Sequence, residues 1–421
     1  MRILLKHVLV AGSERDLLIE GTRISRIAPA GSLGPDRSGE NSLEIIEARG
    51  LAAIPSLVNA HAHSAMTLLR SIAEDMELMP WLQQAIWPRE ARLDAEDIYW
   101  GTRLAALEMI RSGTTFCADM YFFPEAQAEA ARDSGMRFLI SFPLIDGMDE
   151  SRAEAQRAAC DAFFEALPDC GPVSGFCLAG HSVYATTASS LRYIARKARE
   201  RDLHIHIHLA ETKVEDQTCR AQTGMSPTAY LDSLGVLGPK TFCSHCIWLD
   251  ASDWDLLAER GVTVVHNPVS NMKLSSGTFD YEAARSRGIR VLIGTDGAAS
   301  NNSLNLFSDM KIAGLLQKHH WRDPQRWPVA SLLSAAADSG HEFFATGAGR
   351  IEEGTTADLA LIDLSAASMT PCHDLAANLV YAQPWVDTTI CAGRILMRHG
   401  VIEGEAEVIR EASKRAEKVG A

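Results

Sequence analysis

The sequence predicts an α/β fold, in which a (β/α)8 barrel of the TIM type is joined to a small β-sandwich domain formed from both chain ends. The chain has 421 residues, which exceeds the about 250 residues of a typical barrel. Its middle alternates short apolar runs with amphipathic helical stretches, as βα units around a parallel sheet do. Both ends are instead rich in short strands. A composition of 47% hydrophobic and 22% charged residues is typical of a globular protein.

The N-terminal segment predicts strands at residues 3–10 and 17–27, interrupted at Gly21, with a turn rich in Gly, Pro and Ser at residues 31–39. The alternating pattern begins after Pro55. Its apolar runs predict eight barrel strands, at residues 57–60, 114–119, 137–142, 173–179, 204–208, 241–244, 262–266 and 291–294. The stretches between them predict helices, at residues 95–112, 124–134, 154–166, 187–199, 227–234, 252–259 and 281–287.

Short strands return near the C-terminal end, at residues 358–363 and 387–396, and a charged helical stretch follows them. We therefore expect three parts of the chain to be organised differently. The barrel should comprise residues 56–350, the composite sandwich domain residues 1–55 and 351–404, and the helical tail residues 405–421.

Charge and composition limit the partners that the protein can have. The 40 Lys and Arg residues against 54 Asp and Glu residues give a formal charge of −14, which repels phosphate backbones and anionic lipids. Arg2 and Lys6 interrupt the apolar N-terminal residues, and no small-residue cleavage site follows them. The nine cysteines are scattered, which favours reduced thiols over a disulfide framework. We expect a cytoplasmic protein without nucleic-acid or membrane partners.

Five residues that can bind metals or carry protons lie at the ends of predicted barrel strands: His61, His63, His208, His245 and Asp296. Barrel enzymes build their active sites at this C-terminal face. Residues i and i+2 of a strand face the same way, so the first two histidines can offer their imidazoles to one ion. A His, His, His, Asp set suits zinc, although iron(II) accepts the same ligands.

The fifth predicted strand carries three alternating histidines, His204, His206 and His208. Because a strand rises about 3.3 Å per residue, only the last of them can reach the pair on the first strand. We therefore assign His208 to the metal and expect His206 to be hydrogen-bonded inside the barrel. Glu211 follows three residues later, where its carboxylate could move protons between water and a leaving group or could simply cap a helix.

Several phrases of the sequence resemble the amidohydrolase superfamily, and within it the 5′-methylthioadenosine/S-adenosylhomocysteine deaminases. They are PSLVNAHAHSAMTLLR, HIHLAET, CSHC, HNPVSNMKLSSG and GTDGAASNNSLNLFSDM. The resemblance implies that His61, His63, His208 and Asp296 bind the metal. It implies that His245 orients the attacking hydroxide, that Glu211 shuttles protons, and that Glu90 and His181 contact the substrate. Two-metal relatives usually have a bridging lysine on the fourth strand, which residues 173–179 lack, so one metal per chain is expected.

Four further features concern the substrate. Trp81 and Trp87 could close over an aromatic base, although plain packing is the favoured interpretation for the tryptophans alone. Glu90 could accept hydrogen bonds from two ribose hydroxyls. The resemblance aligns Phe142 with the region where a relative has an arginine that helps to bind the homocysteine carboxylate. A phenylalanine there would favour a small apolar 5′ group. Arg152 could supply a second carboxylate contact, so S-adenosylhomocysteine should remain a poorer substrate.

These observations predict a zinc-dependent deaminase with one metal ion per chain. It should convert an adenine nucleoside, with 5′-methylthioadenosine as the expected substrate, to the inosine derivative and ammonia. S-adenosylhomocysteine, 5′-deoxyadenosine and adenosine remain further candidates. The alternatives are an aminohydrolase of a pterin, guanine or triazine, and a non-catalytic scaffold. The expected partner is the small nucleoside, and a homo-oligomer stays open.

Overall fold

The computed structural model of the protein describes residues 2–34, 43–171 and 174–420. Most of the turn predicted at residues 31–39, and residue 173 at the start of the predicted fourth barrel strand, lie outside these ranges. The strands are numbered β1–β16 in chain order.

The predicted fold class is confirmed, since eight parallel strands form a nearly closed barrel and a second sheet is built from both chain ends. The barrel strands are neighbours in sequence order: β6 (Leu57–Ala62), β7 (Thr114–Met120), β8 (Arg137–Leu144), β9 (Gly175–Gly180), β10 (Ile205–Leu209), β11 (Thr241–His245), β12 (Thr263–His266) and β13 (Val291–Ile293). Beyond β13, the Asp296 backbone N–H donates to the His61 carbonyl at 3.0 Å and links the last strand to the first.

The second sheet is mixed and also has eight strands. They are β1 (Arg2–Val10), β2 (Ser13–Glu20), β3 (Arg23–Pro29), β4 (Leu43–Glu47), β5 (Leu51–Pro55), β14 (Leu359–Asp363), β15 (Val386–Cys391) and β16 (Arg394–Met397). β14 pairs antiparallel with β5 and thereby joins the C-terminal strands to the N-terminal ones. Side chains of both groups, such as Leu5, Leu17 and Leu361, share one apolar core.

Helices surround the barrel and cover its ends. The α-helices of ten or more residues are Ala95–Arg111, Pro124–Ser134, Glu150–Glu165, Ala188–Arg201, Lys213–Thr223, Ala251–Arg260, Leu306–Trp321 and Glu405–Gly420. The shorter ones are Leu78–Pro80, Trp87–Glu90, Pro227–Ser233, Pro268–Lys273, Tyr281–Arg285, Ala298–Asn301, Val329–Ala336, Asp338–Phe343 and Leu375–Tyr381. The part of the chain that the structure describes also contains two 3₁₀ turns, Ser64–Leu69 and Ala367–Met369, and a π-helical turn, Trp81–Ile86.

Side-chain caps explain two of the observed helix starts. The helix predicted from residue 154 begins at Glu150, because the Asp149 carboxylate accepts the backbone N–H groups of Ser151 and Arg152. The helix predicted from residue 187 begins at Ala188, because the hydroxyl of Thr187 caps it. Among the described residues, no helix is both long and apolar enough to cross a bilayer.

A buried polar contact joins the barrel to the second sheet. The guanidinium of Arg137, on β8, contacts the carboxylate of Asp358, which precedes β14. The same carboxylate accepts the Thr115 hydroxyl at 3.0 Å and the Ala392 backbone N–H at 2.6 Å. Arg137 and Asp358 are 4% and 1% exposed, so the opposite charges of this buried pair compensate each other away from water.

Candidate metal centre and active site

Five buried or half-buried side chains meet at the C-terminal end of the barrel: His61, His63, His208, His245 and Asp296. Two overlapping groups of three, His61–His208–His245 and His61–His63–Asp296, each place their ligand atoms within 4.8 Å of one another. His245 and Asp296 have left-handed backbones, with φ of 74° and 62°. This conformation is uncommon for residues other than glycine and is often found at functional sites.

Backbone carbonyls orient two of the imidazoles. His63 Nδ1 lies 2.6 Å from the Met120 carbonyl oxygen, and His208 Nδ1 lies 2.8 Å from the His181 carbonyl oxygen. Each contact requires the imidazole to donate its Nδ1–H, which leaves the Nε2 lone pair free. The two Nε2 atoms lie 3.3 Å apart, so both lone pairs are directed to the same place.

His61 is oriented by another imidazole. Its Nδ1 lies 2.8 Å from His206 Nε2, and its fully buried Nε2 has no hydrogen-bond partner among the described residues. Burial lowers the pKa of His61 to about 4, against the opposing effect of the Asp296 carboxylate. A neutral imidazole with an unshared, buried lone pair is what a metal ion requires of a ligand.

Asp296 supplies negative charge to the centre. Its Oδ1 lies 3.3 Å from the Nε2 atoms of both His61 and His63, and its Oδ2 accepts the Ser270 hydroxyl at 2.6 Å. Burial acts to raise the pKa of this carboxyl, but the two imidazoles outweigh burial and hold it well below the usual range. At His63 burial acts to lower the pKa, and the same carboxylate raises it to about 9.

The donor set fits a divalent metal. Three imidazole nitrogens and one carboxylate oxygen converge, as zinc sites with nitrogen and oxygen ligands require. The His61 Nε2 atom without a hydrogen-bond partner and the negative charge of the Asp296 carboxylate both favour a cation between these side chains. The structure thus brings together the four residues that the sequence predicts as ligands.

Glu211 and His245 lie beside this centre. Glu211 Oε2 is 3.7 Å from His245 Nε2, and Glu211 Oε1 accepts the Ser276 hydroxyl at 3.1 Å. Burial raises the pKa of the Glu211 carboxyl above its usual range, which suits a group that alternately takes and gives a proton near neutral pH. His245 Nδ1 lies 2.8 Å from Asn271 Oδ1, so its Nε2 is left to accept.

A cavity of about 590 Å³ opens above these residues. Leu78–Glu90, in the connection after β6, supplies one wall. Glu90 lies on this wall and accepts the Tyr121 hydroxyl at 2.7 Å. Burial raises the pKa of Glu90, although the Tyr121 hydrogen bond opposes the rise. Trp87 is 37% exposed at the mouth of the cavity.

Other predicted substrate residues have different places in this cavity. His181 lines it, and burial lowers the pKa of its imidazole to about 3. Arg152 also lines it, at the rim, where its side chain is 71% exposed and lies 3.8 Å from Asp149. It is the one arginine or lysine among the described lining residues.

The predicted position of Phe142 is wrong. Side chains alternate along β8, and Ser141 points into the barrel, where its hydroxyl lies 3.3 Å from His206 Nδ1. Phe142 therefore points outward and packs on Phe163 of the helical layer, with ring centroids 5.2 Å apart. Pro143, the next inward residue, lines the cavity instead.

Four side chains that support the site are not predicted from the sequence: Tyr121, Glu215, Asn271 and Ser276. Two of them left a detectable signal. Tyr121 directly follows β7 at the C-terminal face, and Glu215 lies four residues after Glu211 at a helix start. Asn271 and Ser276 lie beyond β12, and only the three-dimensional fold brings them to His245 and Glu211.

The chain belongs to the amidohydrolase family, since its residues 52–396 match the sequence profile of that family. The predicted resemblance is thereby confirmed. Among curated proteins, 5′-deoxyadenosine deaminase of Methanoregula boonei is 43% identical over 379 residues, which are 89% of this chain and 86% of that protein. 5-Methylthioadenosine/S-adenosylhomocysteine deaminase 1 of Archaeoglobus fulgidus is 39% identical over 413 residues, or 96% and 94%.

A solved structure extends this similarity to the whole fold. An adenosine deaminase from Xanthomonas campestris, crystallised with bound zinc, superimposes with a TM-score of 0.88 at 32% sequence identity. The match covers 99% of this chain and 98% of that one.

Proposed function

We propose that the protein is a metal-dependent hydrolytic deaminase, which converts a 5′-modified adenosine to the corresponding inosine derivative and ammonia. One observation carries the proposal. A single cavity is lined by residues of the His and Asp centre, by the buried carboxyl of Glu211 and by a second, half-buried carboxyl, Glu90. The names of the most similar relatives support an adenine nucleoside as the substrate.

We further propose that His61, His63, His208 and Asp296 hold one zinc ion, with iron(II) as the alternative. When bound, such an ion supplies the Lewis acidity that makes water nucleophilic near neutral pH. The unshared Nε2 of His61 and the charge of Asp296 support this assignment.

The side chains of the cavity can carry the protons that deamination moves. Glu211 takes one proton from the attacking water and gives it to the ring nitrogen beside the amino-bearing carbon. Its raised pKa supports this exchange. Asp296 accepts a hydrogen bond from the attacking water, and Glu211 carries the second water proton to the amino group, so the C–N bond breaks and ammonia leaves. His245, held by Asn271, accepts a hydrogen bond from the attacking water and aims it.

The walls of the cavity can hold the nucleoside. Glu90 would accept hydrogen bonds from the two ribose hydroxyls, and His181 and Trp87 would contact the substrate. The lining of the cavity is mostly apolar and includes Leu78, Met79, Phe122, Pro143 and Ile145, and Arg152 is the one arginine or lysine among the described lining residues. An apolar 5′ group such as methylthio should therefore bind better than one that carries a carboxylate.

Ammonia release by the purified, metal-loaded protein tests the proposal. The substrates to compare are adenosine, 5′-methylthioadenosine, 5′-deoxyadenosine, S-adenosylhomocysteine, guanine and a pterin. We expect turnover of the adenine nucleosides, with the inosine product identified by its absorbance. Activity on guanine or the pterin alone would overturn the nucleoside assignment, and loss of every activity would favour a scaffold.

A further inference from the structure

We propose that Glu215 is a positioning residue for the reaction: its carboxyl group clamps the backbone between His208 and Glu211, so that the Glu211 side chain points into the cavity. This inference rests on the proposed function, because it gives Glu211 its role. Glu215 itself would touch neither the proton in transit nor the reacting carbon.

The clamp consists of two hydrogen bonds. Glu215 Oε1 accepts the backbone N–H of Ala210 at 2.9 Å, and Glu215 Oε2 accepts the backbone N–H of Glu211 at 3.0 Å. The Glu215 side chain is buried, with only 4% of its surface exposed. Both oxygens of this buried carboxyl group therefore accept hydrogen bonds from the backbone N–H groups of the two residues that precede Thr212.

This use of Glu215 differs from ordinary helix capping. The helix Lys213–Thr223 is capped by Thr212, whose hydroxyl accepts the Glu215 backbone N–H at 3.2 Å. In a capping box, the side chain at the third helical position binds the backbone N–H of the capping residue. Asp253 binds Asp250 in that way in the helix Ala251–Arg260. Glu215 instead reaches one and two residues further back, into the loop.

The clamped loop has a strained turn. Ala210 is left-handed with φ of 48°, a conformation that disfavours residues with a Cβ atom. Its carbonyl oxygen accepts the backbone N–H groups of Ile247 at 3.1 Å and Trp248 at 2.9 Å. The Ala210 peptide is thus held by Glu215 on one side and by the loop after His245 on the other. This turn lets His208 and Glu211 both face the cavity.

The environment of Glu215 supports a role that justifies its burial. Burial raises the pKa of Glu215 to about 8, against the two backbone hydrogen bonds that lower it, while Glu211 acts to raise it further. A second acid beside Glu211 is electrostatically unfavourable. Thr212 alone is enough to cap the helix. The Glu215 carboxyl group is therefore needed for the loop that contains Ala210 and Glu211.

Three variants separate positioning from capping. In Glu215→Ala both acceptors are lost, whereas Glu215→Gln keeps one acceptor oxygen. Asp253→Ala is the matched control, because Asp253 is also a buried acid at the third position of a helix but does not line the cavity. For each protein we would measure kcat, KM, metal content, the thermal midpoint and amide hydrogen exchange at residues 209–212.

A misaligned proton carrier slows the reaction more than it weakens binding. We expect Glu215→Ala to lower kcat by about 10- to 100-fold while KM stays within about threefold, with full metal content. Glu215→Gln should recover part of kcat. The amides of Ala210 and Glu211 should exchange faster in Glu215→Ala. Asp253→Ala should lower the thermal midpoint and keep kcat.

Three results would overturn the positioning role. The first is a Glu215→Ala protein that behaves like Asp253→Ala, with a lower midpoint and unchanged kcat. The second result matters if Glu215→Ala does not fold. It is a kcat for Glu215→Gln that equals the wild-type value. The third is unchanged exchange at residues 210 and 211. The exchange measurement needs no substrate, so it still decides the matter if the wild-type protein deaminates no nucleoside and the proposed function fails.

Discussion

The Nδ1 atom of His61 lies 2.8 Å from the Nε2 atom of His206, so one buried imidazole orients another. If His61 offers its Nε2 lone pair to a metal, its Nδ1 must carry the proton. The Nδ1–H group of His61 then donates a hydrogen bond to His206 Nε2. His206 then donates its own Nδ1–H toward the Ser141 hydroxyl, 3.3 Å away. Two further side chains, His206 and Ser141, therefore fix the tautomer of the ligand His61.

Replacing His206 with phenylalanine should weaken metal binding. The aromatic ring can still stack on Phe242, whose centroid lies 4.1 Å from that of His206, but the His61 Nδ1–H loses its acceptor. We expect the dissociation constant for zinc to rise by about 10- to 100-fold, as measured by competition with a chelator. His204→Gln is the control, since His204 packs on Phe343 away from the centre. Equal affinity in His206→Phe and wild type would contradict this account of His206.

The purified protein should hold one divalent metal per chain. The described ligand atoms converge on a single centre, and β9, Gly175–Gly180, contains no lysine that could bridge a second ion. Chelation should abolish turnover, and one equivalent of zinc should restore it. A requirement for two equivalents, seen by elemental analysis and by titration of activity, would count against a single-metal site.

Glu211→Gln should keep the metal but lose turnover. Glutamine preserves the shape and the contact with Ser276 but cannot carry a proton. We expect kcat to fall by about 10²- to 10⁴-fold at unchanged metal content. Ser276→Ala should lower kcat less than Glu211→Gln does, because it removes the hydrogen bond to Glu211 Oε1 and leaves the carboxyl in place. Nearly full activity of Glu211→Gln would show that another group moves the proton.

The pH dependence of KM should report on Glu90. Only the ionised carboxylate can accept both ribose hydroxyls, and burial raises the pKa of Glu90 above its usual range. KM should therefore rise as the pH falls through this raised pKa. Tyr121→Phe removes a hydrogen bond that lowers the pKa, so the rise in KM should begin at a higher pH.

A substrate without the two hydroxyls provides the control for this pH profile. 2′,3′-Dideoxyadenosine offers nothing for Glu90 to accept, so the acid rise in KM should be weak for both proteins. If the pH profiles of KM for adenosine coincide in Tyr121→Phe and the wild type, Glu90 does not bind the ribose hydroxyls.

Arg152→Ala should affect substrates according to their 5′ groups. The guanidinium is mostly exposed at the rim, so its contact with a homocysteine carboxylate should be modest. We expect kcat/KM for S-adenosylhomocysteine to fall by about 3- to 10-fold and that for 5′-methylthioadenosine to stay nearly constant. The wild-type enzyme should already prefer 5′-methylthioadenosine. Equal losses for both substrates would place Arg152 outside the 5′ subsite.

The sequence predicts the fold and the convergent centre because both depend on short-range patterns. The spacing of His61 and His63 and the ends of apolar runs determine which side chains face the barrel axis at the rim. Phe142 shows the limit of this reasoning. One step in the alternation of β8 decides whether a side chain enters the cavity or the helical layer, and that phase is set by the pairing with β7 and β9.

Partners that come from distant loops were also beyond the reach of local patterns. The contact of Asn271 with His245 depends on how the helix Pro268–Lys273 sits across the end of β11. The π-helical turn Trp81–Ile86 has no local sequence signature of its own. Its tryptophan packs in an apolar cluster with Ala412 and Val419 of the helix Glu405–Gly420, more than 300 residues away in sequence.

The contact between Arg137 and Asp358 has a consequence for how the molecule unfolds. If the sheet built from the chain ends came apart first, the contact between Arg137 and Asp358 and the hydrogen bond from the Thr115 hydroxyl to the same carboxylate would be lost together. The same sheet continues directly into the barrel, because only Ser56 separates β5 from β6. The barrel and the sheet should therefore melt in a single cooperative transition, and a barrel excised from its flanking strands should not hold its fold.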